Sequence, residues 1–265
     1  MQPDQTDILD TAHEMADAAR AAILPHFRKA DLGEDNKLAG GYDPVTEADR
    51  AAEQAMRAVL ARRRPQDAIL GEEYGHESGD SGLTWVLDPI DGTRGFVSGT
   101  PTWGVLIGLN DGARVLFGMV DQPYTGERFW GGFGQGGMTG PQGERPLATR
   151  ATAALEQAVI FTTFPEVGTP RDAEGFRAVA SRCKLTRYGM DCYAYALVAA
   201  GQVDLVIEAG LHPYDIQGPI GVIEAAGGLV TDWRGGPALQ GGQVLAAANP
   251  VLHRAALDLL ADFAE

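Results

Sequence analysis

Apolar residues Ile8, Leu9, Ala12, Met15, Ala16, Ala19, Ala22, Ile23 and Phe27 recur three and four positions apart, which predicts one face of a long amphipathic helix. Thr46 is a good N-cap for a second helix, with Ala51, Ala52, Ala55, Met56, Val59 and Leu60 inside it and Pro65 beyond its end. Short apolar runs at 68–70 and 85–87 read as buried strands, and each runs into acidic residues. From Trp103 to Trp130, apolar runs broken at 110–112 and 123–126 predict antiparallel hairpins. The Gly- and Pro-rich stretch 131–146 reads as an internal boundary. Beyond it, strands at 159–162, 185–187, 205–208, 229–231 and 244–247 are expected. They are interspersed with helices at 172–181, 191–200, 214–226 and from Pro250. The pattern predicts a layered α/β chain with halves 1–146 and 147–265 in one two-lobed unit.

Composition narrows the function classes. The 265 residues are enough to bury a sizeable core. A net charge of −15 repels phosphate backbones and anionic lipid, which argues against nucleic-acid and membrane-surface roles. Cys183 and Cys192 are too few for a disulfide framework and read as reduced thiols. The first ten residues are too polar for a secretory apolar region, and no stretch nears the ~18–20 apolar residues of a membrane span. A soluble, cytoplasmic protein is the expectation.

Three patterns have bland readings. Gly132, Gly134 and Gly137 match G-x-G-x-x-G, but the residues that follow cannot open a helix, so a glycine-rich loop is expected. The five histidines show no metal-binding i, i+4 pair, and His212 reads as a packing or hydrogen-bonding residue. Cys192 has no histidine near it in sequence and reads as a small buried helix residue.

The acidic residues are more informative. In Trp85-Val-Leu-Asp-Pro-Ile-Asp-Gly-Thr93 an apolar strand runs into Asp88 and Asp91, which places carboxylates at the carboxyl end of a sheet. Two such groups cannot both ionise at close range without a counter-charge, and a divalent cation supplies one. Pro89 lacks a backbone donor, leaving carbonyls such as that of Ile90 free to face a cation. Glu72-Glu73, Asp43-Pro-Val-Thr-Glu-Ala-Asp49 and His212-Pro-Tyr-Asp215 are three further acidic places. Asp215 alone reads equally well as the cap of a helix from Ile216, and Asp191 as the N-cap of its own helix. Oxygen ligands without a Cys/His set favour Mg²⁺ over zinc. Gly92-Thr93, at a turn opening a helix, offers backbone N–H groups to an anion. Metal-assisted phosphoryl hydrolysis is the chemistry this spacing suggests.

Those motifs, with Gly71-Glu-Glu73, resemble the inositol monophosphatase superfamily in order and spacing over nearly the whole chain. Asp91-Gly-Thr-Arg-Gly-Phe-Val-Ser-Gly-Thr-Pro-Thr-Trp-Gly104 is similar to its histidinol-phosphatase branch. So is Arg187-Tyr-Gly-Met-Asp-Cys-Tyr-Ala-Tyr195 followed by Asp204-Leu-Val-Ile-Glu208, with Met190 where that branch usually has glycine. The resemblance implies an αβαβα sandwich, often a homodimer, with the active site between the halves. It implies two or three Mg²⁺ ions held by Glu72, Asp88, the Ile90 carbonyl, Asp91 and Asp215, the last supplied by the C-terminal half. It implies that Thr93, hydrogen-bonded to Asp49, orients the attacking water with Glu72 assisting. Gly92 and Thr93 would hold the phosphate, and Arg187, Asp191 and Glu208 would lie on the substrate side. The substrate expected is a small phosphorylated metabolite, L-histidinol phosphate first. Inositol phosphate or another sugar phosphate is the alternative, and a non-catalytic metal-binding regulator the third reading.

Overall fold

The computed structural model describes residues 4–29, 35–36 and 44–265. Asp43, which opens one of the acidic motifs, lies outside the described residues. Helix α1 (Gln5–Ile23) begins where the Asp4 carboxylate accepts the N–H groups of Thr6 and Asp7. It buries Ile8, Ala12, Met15, Ala16, Ala19 and Ile23. The predicted stripe leaves the helix after Ile23, and Phe27 packs from the turn beyond it. A short antiparallel pair follows, β1 (Asp35–Asn36) and β2 (Pro44–Val45). Helix α2 (Glu47–Arg63) is capped by Thr46 as expected, and Asp49 answers by accepting the Thr46 N–H.

An eight-stranded sheet is built next from β3 (Ala68–Gly71), β4 (Gly75–Glu77), β5 (Thr84–Asp91), β6 (Gly104–Asn110), β7 (Val115–Gln122), β8 (Glu127–Gly132), β9 (Gln135–Gly140) and β10 (Gly143–Arg145). Its order is β10-β9-β8-β7-β6-β5-β3-β4, antiparallel except for the parallel β3–β5 pair. Helix α3 (Thr93–Ser98) lies between β5 and β6. The second sheet comprises β11 (Val159–Thr162), β12 (Leu185–Tyr188), β13 (Leu205–Leu211), β14 (Leu229–Thr231) and β15 (Gly242–Ala247), ordered β12-β11-β13-β15-β14. Helices α4 (Pro170–Ala180), α5 (Asp191–Ala199), α6 (Pro213–Ala225) and α7 (Pro250–Leu260) accompany it.

Three hydrophobic clusters separate the layers. One joins α1 and α2 to the large sheet, one sets α5 and α6 between the sheets, and one joins α4 and α7 to the outer face of the small sheet. This is the αβαβα sandwich. The stretch 131–146, read from the sequence as an internal boundary, is itself structured: it completes β8 and supplies β9 and β10. Close approach of α6 explains Gly131 and Gly136, whereas Gly134 and Gly143 take left-handed turn positions at φ 76° and 90°. A Cβ on Gly131 would sit 2.4 Å from Ala225 Cβ, and one on Gly118 would sit 2.0 Å from the Gly218 carbonyl of α6. The G-x-G-x-x-G glycines fall in the β8–β9 hairpin, and no helix follows them.

Candidate active site

Parallel pairing of β3 and β5 brings two acidic strand ends together. The ladder pairs Gly71 with Leu87 and continues with the Glu72 N–H donating to the Leu87 carbonyl at 3.1 Å. Glu72 thereby lies beside Asp88 and hydrogen-bonds to it. Side chains three apart on a regular strand point to opposite faces. Between Asp88 and Asp91, however, β5 bulges against β6, with Asp88 opposite Leu106 and Asp91 opposite Gly104. Pro89, which cannot donate to the ladder, sits in that bulge, and both aspartates line one cleft. The turn carrying Glu72 is anchored from behind by Glu53 of α2, fully buried. Glu53 accepts the Glu73 N–H at 2.7 Å, the Tyr74 N–H at 3.2 Å and Arg57 Nε at 2.8 Å. Gly71 has no side chain because the Glu53 carboxylate occupies that space, 2.0 Å from where a Cβ would stand.

The second sheet contributes the opposite wall. Residues 208–212 leave the end of β13 and feed α6, whose first turn carries Asp215. One carboxylate oxygen each from Asp88, Asp91 and Asp215 falls within 4.8 Å of the others. Glu208 is 6% exposed, and its Oε1 accepts the Thr163 N–H at 2.6 Å and the Thr163 hydroxyl at 2.9 Å. The cleft encloses about 350 Å³ and is lined from both halves of the chain. At its edge Arg94 stacks over the Phe164 ring at 5.1 Å.

Burial dominates the electrostatics. It pushes Asp88 well above the ordinary carboxylate range, with Glu72, Asp91 and Asp215 adding repulsion. Asp91 is raised likewise by burial, then by Asp191 and Asp215. Burial also raises Asp191, Glu208 to about 7 and Asp49 to about 6. The Cys192 thiol is buried on α5 and pushed well up, so it is no thiolate nucleophile.

Most of the residues singled out in the sequence meet here. Glu72, Asp88, Ile90, Asp91, Gly92, Thr93, Asp191, Glu208 and Asp215 all line the cleft. Asp49 stands behind it, with Oδ2 accepting Thr46 N and Oγ1 while Oδ1 faces the Thr93 hydroxyl at 3.4 Å. A hydroxyl has one proton, and the Ile90 carbonyl at 3.0 Å is the nearer acceptor for Thr93. Arg187 does not join the site: it is exposed on β12, outside the residues lining the cleft.

Two capping expectations also change. Asp191 is the first residue of α5 rather than its cap, in the left-handed region at φ 45°. Its Oδ2 accepts the Thr102 hydroxyl at 2.9 Å. It presses on Gly92, where a Cβ would come 2.8 Å from Asp191 Cγ. Asp215 is the third residue of α6, accepting the His212 N–H at 2.6 Å, so the helix starts earlier than Ile216. His212 is the N-cap, stacked on Tyr214 at 5.1 Å. Glu53 and Thr163 have no spacing in the sequence that sets them apart, and Tyr195, inside the run that resembles the histidinol-phosphatase branch, has no role assigned by that resemblance.

The donor set suits a divalent cation. Three carboxylates converge, and burial and mutual repulsion push Asp88 and Asp91 well above the ordinary carboxylate range; positive charge relieves that repulsion, and hard oxygen donors suit Mg²⁺ or a similar ion.

Comparison with known proteins agrees with this geometry. The chain matches the Inositol monophosphatase family over residues 4–264. It is 40% identical to the bifunctional phosphatase IMPL2 of Arabidopsis thaliana over 260 residues, covering 93% of this chain and 72% of that protein. It is 34% identical to a histidinol-phosphatase of Streptomyces coelicolor, covering 95% and 96%. An inositol monophosphatase from Zymomonas mobilis superposes with a TM-score of 0.86 at 37% identity, covering 98% of this chain and all of the other. Agreement along the whole length, with relatives that are phosphatases by name, assigns the chain to the Inositol monophosphatase family of phosphatases.

Proposed function

We propose that this phosphatase hydrolyses L-histidinol phosphate to L-histidinol and phosphate, in histidine biosynthesis, with Mg²⁺ as its cofactor. The observation that carries the substrate is the pair Asp191, half-buried, and Glu208, buried, two carboxylates that line the cleft outside the Asp88–Asp91–Asp215 cluster. Histidinol presents an ammonium and an imidazole, for which carboxylates are charge-assisted partners. The Streptomyces relative named a histidinol-phosphatase supports the same reading.

Glu72, Asp88, the Ile90 carbonyl, Asp91 and Asp215 would hold the ions, two or three in number. When bound, they neutralise the phosphate dianion and make a nearby water more acidic. Thr93 Oγ1 accepts a hydrogen from the attacking water and thereby aims a lone pair at phosphorus, and Asp49 Oδ1, 3.4 Å behind it, would take over the Thr93 proton from the nearer Ile90 carbonyl when that carbonyl faces a cation. Backbone N–H groups of Gly92 and Thr93 hold phosphate oxygens. Asp191 and Glu208 face the alcohol. A cytoplasmic homodimer is part of the proposal, and sedimentation reads the oligomeric state.

Inositol phosphate is the second reading, favoured by the Zymomonas enzyme's similarity. A phosphate-release panel of histidinol phosphate, inositol 1-phosphate, fructose 1,6-bisphosphate and 3′-phosphoadenosine 5′-phosphate, with Mg²⁺ and after chelation, decides between them. Histidinol phosphate should have the highest kcat/KM. A higher value for inositol 1-phosphate overturns the substrate, and full turnover after chelation overturns the metal.

A further inference from the structure

Tyr195 lies one helical turn beyond Asp191 on α5, so both side chains leave the helix on one face and both line the cleft. The residue is 4% exposed, and its hydroxyl oxygen is buried without a hydrogen-bond partner among the described residues. Buried hydroxyls are nearly always paired, because burying one unpaired costs stability. Other buried polar atoms lack partners, such as Trp103 Nε1 and Asp204 Oδ1, but among the described residues Tyr195 alone combines that lack with a place on the cleft wall.

We propose that Tyr195 Oη is a specificity-determining group that hydrogen-bonds a nitrogen or hydroxyl on the alcohol portion of the substrate. The proposal rests on the phosphatase reading of the same cleft. The partner is on the alcohol rather than the phosphate because Tyr195 shares its helix face with Asp191, on the side of the cleft that the phosphatase reading gives to the alcohol. Burial and the carboxylates of Glu208, Asp91 and Asp215 keep the phenol protonated, so it can donate to an imidazole nitrogen as well as accept from a hydroxyl or ammonium. The cost of the unpaired hydroxyl in the free protein is relieved when such a substrate enters.

Tyr195→Phe removes the oxygen and keeps the ring, so it separates this role from packing. The measurement is kcat/KM for histidinol phosphate and inositol 1-phosphate, each divided by that for phenyl phosphate, whose leaving group has no hydrogen-bonding substituent, together with Tm. The ratio for the better of the two polar esters should fall about tenfold, the effect of one hydrogen bond. Tm should hold or rise, because an unpaired buried hydroxyl has been removed. An unchanged ratio, or a lowered Tm with all esters slowed alike, overturns the proposal and leaves the phosphatase reading standing. A wild-type protein that releases phosphate from none of these esters removes both.

Discussion

Asp191 is held against its own preferences. A non-glycine residue at φ 45° is strained, and burial makes its charge costly, yet it is fixed by Thr102 and wedged against Gly92. Asparagine tolerates the same backbone region and keeps the shape while removing the charge. A charge-assisted hydrogen bond contributes ~1.5–3 kcal/mol, so Asp191→Asn should lower kcat/KM for histidinol phosphate roughly ten- to a hundredfold relative to glycerol 2-phosphate. An unchanged ratio in a folded variant would return Asp191 to a purely structural role. Thr93 calls for a different measurement. Thr93→Ala should lower kcat by about two orders of magnitude, the scale of a lost proton relay, while the Mg²⁺ concentration for half-activity stays near wild type. Loss of metal with turnover intact at saturating Mg²⁺ would move Thr93 from catalysis to structure.

At the scale of elements, the site depends on how closely α6 lies on the large sheet. Gly118, Gly131 and Gly221 leave no room for a Cβ, and at Gly118 the obstacle is the backbone carbonyl of Gly218, which cannot swing aside. Gly118→Ala should therefore destabilise by roughly 1–3 kcal/mol, as overpacking does. Since α6 carries Asp215, it should also raise the Mg²⁺ requirement severalfold. Denaturant unfolding and a magnesium titration of activity read the two effects. Wild-type values in both would show that the helix can shift without moving Asp215. Glu53 plays a comparable part on the other side, tying α2 to the turn that presents Glu72.

Across the whole molecule, the raised carboxylates couple metal, protons and stability. Asp49 is lifted from 3.8 to about 6 and Glu208 from 4.5 to about 7, so the folded chain binds these protons more tightly than the unfolded one. Their stabilising contribution is complete below the ordinary values and is lost as pH rises, for Asp49 up to about 6 and for Glu208 up to about 7. Chelated protein should show Tm falling across that window, and Glu208→Gln should flatten the fall, as thermal scans at stepped pH would reveal. Parallel slopes in variant and wild type would contradict the burial account of Glu208. Asp88 and Asp91 are pushed well above the ordinary carboxylate range, so on the proposed reading Mg²⁺ would compete with their protons and bind more tightly as pH rises. Proton release on adding Mg²⁺ to a weakly buffered, chelator-stripped sample checks this, and its absence would mean that the carboxylates are already ionised.

How much of this was legible beforehand depends on the range of the forces involved. The Thr46 cap, the strand into Asp88 and Asp91, the hairpins after Trp103 and the alternating elements beyond 159 all express neighbours along the chain, and local pattern predicts them. Gly131 and Gly136 misled because their reason is α6, about ninety residues further on, which the pattern around them does not contain. Asp191 and Asp215 read locally as caps, while packing set one in a strained left-handed position beside Gly92 and the other at the third position of its helix. Arg187 sits within a run that resembles a family signature, yet β12 is an edge strand and presents it to solvent. Glu53 carries no mark in the sequence, and Tyr195 stands in the signature run with nothing to show that its hydroxyl is unpaired. What distinguishes them is a buried carboxylate beneath a turn and a buried hydroxyl beside a cleft, and burial exists only once distant segments have met.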